Sequence, residues 1–196
     1  MEINELNFFC KVTHVYRKNI DLLIKLSDEH MERSLQVFFA EEPVFDKALF
    51  EASSYISDSP RIAFSLYALA IVHCYSLVEN NRKDILMRLP GLSAKQKKGL
   101  YKIKIIDDVL SSFCLAHNQV NCYDVAEEFR LVNNEIKHDR YNLSTKISLK
   151  NGIAYDANAL RELYLAKSQC LEEYLSDLYR QVSAVNTGHF ENTPKL

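Results

Sequence analysis

Apolar residues recur along this chain at three- and four-residue spacings almost from end to end, the period of one buried face of an α-helix. Between residue 3 and about residue 40, Phe9, Val12, Tyr16, Ile20 and Leu23 supply such a stripe, and Pro43 ends it. A shorter helical piece follows, with Phe45, Ala48, Leu49, Ala52 and Tyr55. Ser57-Asp58-Ser59-Pro60 then reads as a stop and restart, a cap residue followed by proline at a first helical position. From Pro60 to about Leu89 there are two stripes. Ile62, Leu66, Leu69, Ala70, His73 and Leu77 form one; Tyr67, Ile71, Cys74, Val78 and Ile85 form the other. An apolar arc that wide predicts the central helix of a bundle, with His73 as a buried, hydrogen-bonded core residue.

Pro90-Gly91 breaks the chain, and Ser93-Ala94-Lys95-Gln96 has the pattern of a capping box. The spacing predicts a helix from there to about His117, with Ile103, Ile106, Leu110 and Phe113 inward, then a short loop over Asn118 to Asn121. The next helix, VAEEFRLVNNEIKHDR from Val125 to Arg140, puts Val125, Phe129, Val132 and Ile136 on one stripe. At about 100° per residue, Arg130, Asn134, Lys137 and His138 fall on the other side. The period changes only in TKISLKNGIAY, Thr145 to Tyr155, where Asn151-Gly152 is a hairpin-turn signal. A last helix is expected over Ala157 to Val185, with Leu160, Tyr164, Leu171, Tyr174, Leu178 and Val182 on one face. Residues 186–196 read as a disordered tail. The expectation is an all-α, single-domain bundle over 1–185, of five or more helices, with one small β-hairpin.

Composition narrows the function classes. Hydrophobic residues at 47% and charged residues at 26% suit a globular chain, and a net charge of −2 excludes one that is basic throughout. Nucleic-acid contact therefore has to come from a local patch. Five cysteines, an odd number without paired spacing, point to reduced thiols in a cytoplasmic protein. Glu2 and Glu5 stand where the basic part of a signal peptide would be, and no apolar run is read as approaching a membrane span of about 18 residues. Cys10 and His14 share a helical face, but no second pair has ligand spacing, so neither metal nor cofactor is expected. No glycine-rich phosphate loop and no nucleophile elbow are present.

Charge is unevenly spread. Between Arg82 and Lys104 stand Arg82, Lys83, Arg88, Lys95, Lys97, Lys98, Lys102 and Lys104 against a single acid, Asp84. Lys95, Lys98 and Lys102 would share a helix face. Such a patch attracts a phosphodiester backbone; the alternative is a solvated lysine face. No aromatic interleaving is read in it, so base stacking is not implied.

A bundle whose penultimate long helix ends Arg…Asn-x-x-Lys-His resembles the HEPN superfamily (higher eukaryotes and prokaryotes nucleotide-binding). LVNNEIKHD, Leu131 to Asp139, is similar to a divergent bacterial branch of it. LYALAIVHCYSLVENNRKDIL, Leu66 to Leu86, is similar to the family's early apolar helix, which often carries a Glu followed four residues later by Lys, here Glu79 and Lys83. The resemblance covers about residues 59–185. It implies a metal-independent RNase of a toxin–antitoxin or phage-defence system, or a non-catalytic dimeric adaptor or regulatory subunit. It also implies a homodimer, with RNA and a cognate antitoxin or defence protein as partners. The family motif is an Arg, usually a polar residue, then four to six residues, then His. Here Leu131 follows Arg130, and seven residues separate Arg130 from His138.

The chemistry implied is attack of a 2′-hydroxyl on the adjacent phosphate. It needs a base for the proton and cations for the phosphorane. Imidazole titrates near neutrality, which makes His138 the candidate base. Arg130, Lys137 or Arg140 would contact the phosphate, and Asn134 would orient the imidazole or bind a phosphate oxygen. Lys83, Lys95, Lys98 and Lys102 would hold the RNA backbone. Glu79 and Lys83 either support the site or form a plain surface ion pair.

Overall fold

The computed structural model describes residues 47–139 and 145–187, with isolated helical positions at Lys18, Leu22, Lys25 and Glu29; side chains are described from Arg61 onward. The first expected helix beyond those four positions, the stop at Pro43, Cys10, His14, Arg140 and the 188–196 tail lie outside the described residues. Within them the fold is helical with one small hairpin. The elements are α1 (Lys47–Leu86), α2 (Ala94–Gly99), α3 (Ile103–Ser112), a 3-10 turn (His117–Gln119), α4 (Tyr123–Asp139), β1 (Lys146–Ser148), β2 (Ala154–Asp156), α5 (Ala157–Lys167) and α6 (Cys170–Asn186).

The described chain divides into two compact units. One takes 74–130 and 167–187; the other takes the described residues up to His73 together with 131–166. α1 and α4 each contribute residues to both.

α1 departs from expectation at its start, running through Ser57 to Pro60 as one helix. Proline's fixed φ is itself helical; what it removes is one backbone bond, at a cost of about 3 kcal/mol. The strongly apolar stretch that follows offsets this. Of the two stripes there, the second is buried: Tyr67, Ile71, Cys74, Val78 and Ile85 are all inside. In the first, Ile62, Leu69 and His73 are exposed, so His73 is not a core histidine. By length and composition Arg61–Leu86 is apolar enough to cross a membrane, which corrects the reading that no run approaches that length. The core helix of a globular domain meets the same criterion, and the buried second stripe is what such a helix shows.

The helix expected from Ser93 to His117 is broken. The capping box forms as read, with Ser93 Oγ accepting from the Gln96 amide at 3.2 Å and Gln96 Oε1 accepting from the Ser93 amide at 2.9 Å. α2 nevertheless ends at Gly99. A Cβ there would sit 2.3 Å from Ile105 Cδ1, so the missing side chain is what lets Ile105 pack over the corner. Leu100 is fully buried beside it, and Ile106, Val109 and Leu110 form the buried face of α3. α3 closes in a Schellman arrangement, the Leu115 amide donating to Leu110 O and the Cys114 amide to Ser111 O, both at 3.0 Å. Cys114 takes the left-handed position, φ 60°, that such a terminus normally gives to glycine.

The hairpin and the C-terminal helical region form with finer detail than the spacing predicts. Ile147 and Tyr155 pair across the antiparallel hairpin and are both buried, while Lys146 and Ser148 are exposed. The loop has three residues. Leu149 and Ile153 face each other, the Gly152 amide donates to Leu149 O at 2.9 Å, and Gly152 has φ 85°. The last long helix is two, α5 and α6, separated at Ser168-Gln169, where the chain passes from one unit to the other. Leu160, Tyr164, Leu171, Tyr174, Leu178 and Val182 are all buried as read.

Replacing Cys114 by glycine should relieve the left-handed strain and stabilise the chain by about 1 kcal/mol. The urea midpoint should rise at unchanged slope. A midpoint equal to or below wild type would contradict the account of this terminus.

Candidate functional site

The expected site residues are distributed as follows. His138 and Lys137, in the last turn of α4, are exposed; Asn134 is half-buried and accepts from Asn133 Nδ2 at 3.3 Å. Arg130 is half-buried, and its guanidinium is held by the Glu127 carboxylate one turn back, Nε donating at 2.7 Å and Nη2 at 2.5 Å. A bidentate pair of this kind satisfies both partners and orients Arg130 toward the start of α4. Arg130 belongs to one compact unit, and Asn134, Lys137 and His138 to the other. Lys83, Lys95, Lys98 and Lys102 are exposed, as are Lys97 and Lys104. Because α2 ends at Gly99, Lys102 stands in the corner between helices and not on the face of Lys95 and Lys98. Arg82 leaves the basic patch altogether, being only 2% exposed. Glu79 is half-buried, and among the described residues it forms no ion pair with Lys83.

Arg82 instead opens a polar chain that sequence reading missed, all of it inside the first unit. Its Nη2 donates to Tyr75 Oη at 3.2 Å, and it also hydrogen-bonds Tyr174. Tyr174 is fully buried, and its hydroxyl lies 2.7 Å from His117 Nε2. His117 Nδ1 lies 2.8 Å from Asp107 Oδ1, whose side chain is 47% exposed. Tyr123 packs edge-on to the imidazole, centroids 4.8 Å apart.

The protons can be assigned from donor inventories and charge. Burial lowers the pKa of His117, and Asp107 only partly opposes it, so the ring is neutral at neutral pH. Asp107 as a carboxylate can only accept, so Nδ1 carries the hydrogen and Nε2 accepts from Tyr174. Burial pushes the Tyr174 hydroxyl up to about 12 despite Arg82 beside it, so it stays protonated and can donate. Arg82 has only donors. Burial disfavours its charge, but the two tyrosine hydroxyls more than compensate and its pKa is raised. Every bond thus runs one way, from Arg82 through Tyr174 and His117 to Asp107, and a buried cation is linked to a half-open carboxylate through two neutral groups.

This chain joins α1, α6, the 3-10 turn and α3, and its interior members are closed to any substrate. Its chemistry is positional. Asp177 makes a second tie, accepting from the Asn121 amide at 2.9 Å, from Gln181 at 2.9 Å and from Arg180 at 2.5 Å. Burial alone would raise its pKa, but these donors hold it below the ordinary value. Among the described residues, three buried side-chain atoms have no hydrogen-bond partner: Arg82 Nε, Asn133 Oδ1 and Ser168 Oγ. The described cysteines are free thiols, and no cluster of metal-ligating side chains exists among the described residues.

The chain matches no family model, no curated protein and no solved structure.

The signal for the buried chain was in the sequence only in part. Tyr174 was read on the buried face of its helix, but Arg82 was counted with the lysines. Nothing local distinguishes a cation that turns inward, because its partners lie 92 residues away in α6 and seven residues back in α1.

Tyr174→Phe should cost about 1–3 kcal/mol, since it strands His117 Nε2 and one Arg82 donor in the interior. The pH dependence has a definite sign. The native pKa of His117 lies below its ordinary 6.5, so the unfolded chain binds more protons between the two values. Stability from His117 is complete above 6.5 and falls as pH drops through that value toward the native pKa. Denaturation midpoints should decline on acidification in wild type. The decline should be shallower in His117→Gln, which is weaker at pH 7 but lacks the titration. Equal slopes would show that His117 does not carry it.

Proposed function

We propose that this chain is a HEPN-like RNA-cleaving protein of a toxin–antitoxin or phage-defence system, acting without a metal in the cytoplasm as a homodimer. The observation that carries the reading is the exposed His138 at the C-terminal turn of α4, with exposed Lys137 beside it and Asn134 one turn before. His138 takes the proton of a ribose 2′-hydroxyl as its oxygen attacks the adjacent phosphorus. The 5′-oxygen of the next nucleotide leaves with a proton, giving a cyclic phosphate and a new hydroxyl end. Lys137 and Arg140 neutralise the phosphorane charge, and Asn134 orients the imidazole. The run of lysines from Lys95 to Lys104 attracts the RNA backbone.

A second reading, a non-catalytic dimeric adaptor with a cognate antitoxin or defence protein as partner, is favoured by one specific observation. Glu127 already engages the Arg130 guanidinium through two bonds, so this cation is neutralised where the family motif would use it on phosphate. Leu131, exposed beside it, suits an interface.

In the cleaving protein, folded His138→Ala should lose RNA cleavage by about 10²- to 10⁴-fold. Chelator should change nothing. Purified wild type, His138→Ala and Arg130→Ala, each checked for native helicity, are incubated with total RNA, and light scattering reports their mass. Equal cutting by wild type and His138→Ala would refute the mechanism. A dimer that neither cuts RNA nor harms expressing cells would establish the adaptor reading. A monomer at micromolar concentration would count against both.

A further inference from the structure

From Ile85 to Ile106 the sequence holds six basic residues, Arg88, Lys95, Lys97, Lys98, Lys102 and Lys104, and no acid. In the middle of this run stands Tyr101, an aromatic overlooked in the pattern of charges. It lies in the corner between α2 and α3 and is 58% exposed, more than any other large hydrophobic residue among the described side chains. Lys102 Nζ lies over its ring, 5.4 Å from the centroid.

The corner is built to hold that ring outward. Leu100, immediately before it, is fully buried. Gly99 admits the Ile105 side chain where its own Cβ would be, and the Lys102 amide donates to Gly99 O at 2.8 Å, closing the turn. Capping by Ser93 and Gln96 fixes the other end of α2. The turn therefore presents one flat π-surface amid exposed lysines. Lysines alone would suit any polyanion. An aromatic face among them adds contact only for a partner that brings its own exposed planar group, which single-stranded RNA does and an acidic peptide does not. Duplex RNA is also excluded, because its bases are already stacked on each other.

We propose that the α2–α3 corner is a platform for single-stranded RNA, on which one base stacks against Tyr101 while Lys97, Lys98, Lys102 and Lys104 hold neighbouring phosphates. The site rests on the RNA-binding reading above and names the form of RNA: unpaired strands. Lys102 serves twice, lying on the ring when RNA is absent and meeting a phosphate when a base takes its place.

The test is fluorescence anisotropy of a labelled, unstructured RNA of about ten nucleotides, a length within the usual range for stacking platforms. A duplex of equal length and an acidic peptide serve as competitors. The full chain carries His138→Ala, so that the probe is not cut during titration. Tyr101→Ala should weaken single-strand binding by about 5- to 100-fold, and Tyr101→Phe should bind close to the parent. Lys97→Glu with Lys98→Glu should flatten the salt dependence by about 0.7 per lost contact, the single-strand value. Duplex binding should not respond to Tyr101→Ala. The corner is exposed, so these variants should keep native helicity, which circular dichroism checks. Single-strand binding unchanged by Tyr101→Ala would overturn the platform and leave the RNA-binding reading standing. A parent protein that binds no RNA would overturn both. Displacement by the acidic peptide as effective as by RNA of equal charge would replace the platform with a protein-docking surface.

Discussion

The first compact unit depends on the burial of one charge. Arg82 comes from the most apolar helix of the chain and is taken almost wholly out of water. An isolated guanidinium there would be prohibitive, since desolvating an ion costs several kcal/mol even after relaxation. Two tyrosine hydroxyls accept from it, and Tyr174 passes the polarisation through His117 to the Asp107 carboxylate at the edge of the unit. Bonds aligned head to tail in a medium of low dielectric strengthen one another, and each becomes costly to lose. The members come from α1, α6, the 3-10 turn and α3, so the bonds from Arg82 out to Asp107 are complete only when all four are in place. Apolar burial elsewhere in the unit, as at Phe129, Leu110 and Leu178, is strong but tolerant of alternatives. The directional bonds are what select one arrangement.

The same unit shows how connections are chosen by what they must bury. Gly99 ends α2 because Ile105 needs its space, and Cys114 accepts a left-handed backbone so that Leu115 can turn into the core. Tyr101 is turned outward by the first of these corners, next to the fully buried Leu100, so the surface proposed above as an RNA platform is a by-product of core packing.

The polar face of α4 now has two chemically distinct parts. Glu127 and Arg130 satisfy each other near its middle, while Lys137 and His138 stand free to solvent at its end. The first part has the character of a structural pair. The second has an exposed imidazole with an ammonium beside it, the pair to which the proposed mechanism gives the base and a phosphate contact. The proposed cleavage and adaptor functions divide on whether Lys137 and Arg140 alone can meet the phosphate charge without Arg130.

Much of the fold was legible in the residues themselves. The capping box, the hairpin dipeptide and the stripe from Leu160 to Val182 are local signals, set by backbone geometry within a few residues, and the structure realises these three. The break at Gly99–Lys102 coincides with a poor helix former, but what places it is Ile105 packing where a glycine Cβ would be, a contact spacing does not reveal; the break at Ser168-Gln169 carries no local signal. Pro60 failed as a stop for the complementary reason: the burial of the apolar stretch after it outweighs one lost backbone bond. On the site, sequence placed His138 and Lys137 at an exposed helix end. Only tertiary structure decided that Arg82 is interior, that His117 has partners in α3 and α6, that Arg130 is occupied and that Tyr101 is presented. Each of those outcomes depends on which side chain finds which partner, and such pairing is fixed by three-dimensional packing and not by spacing along the chain.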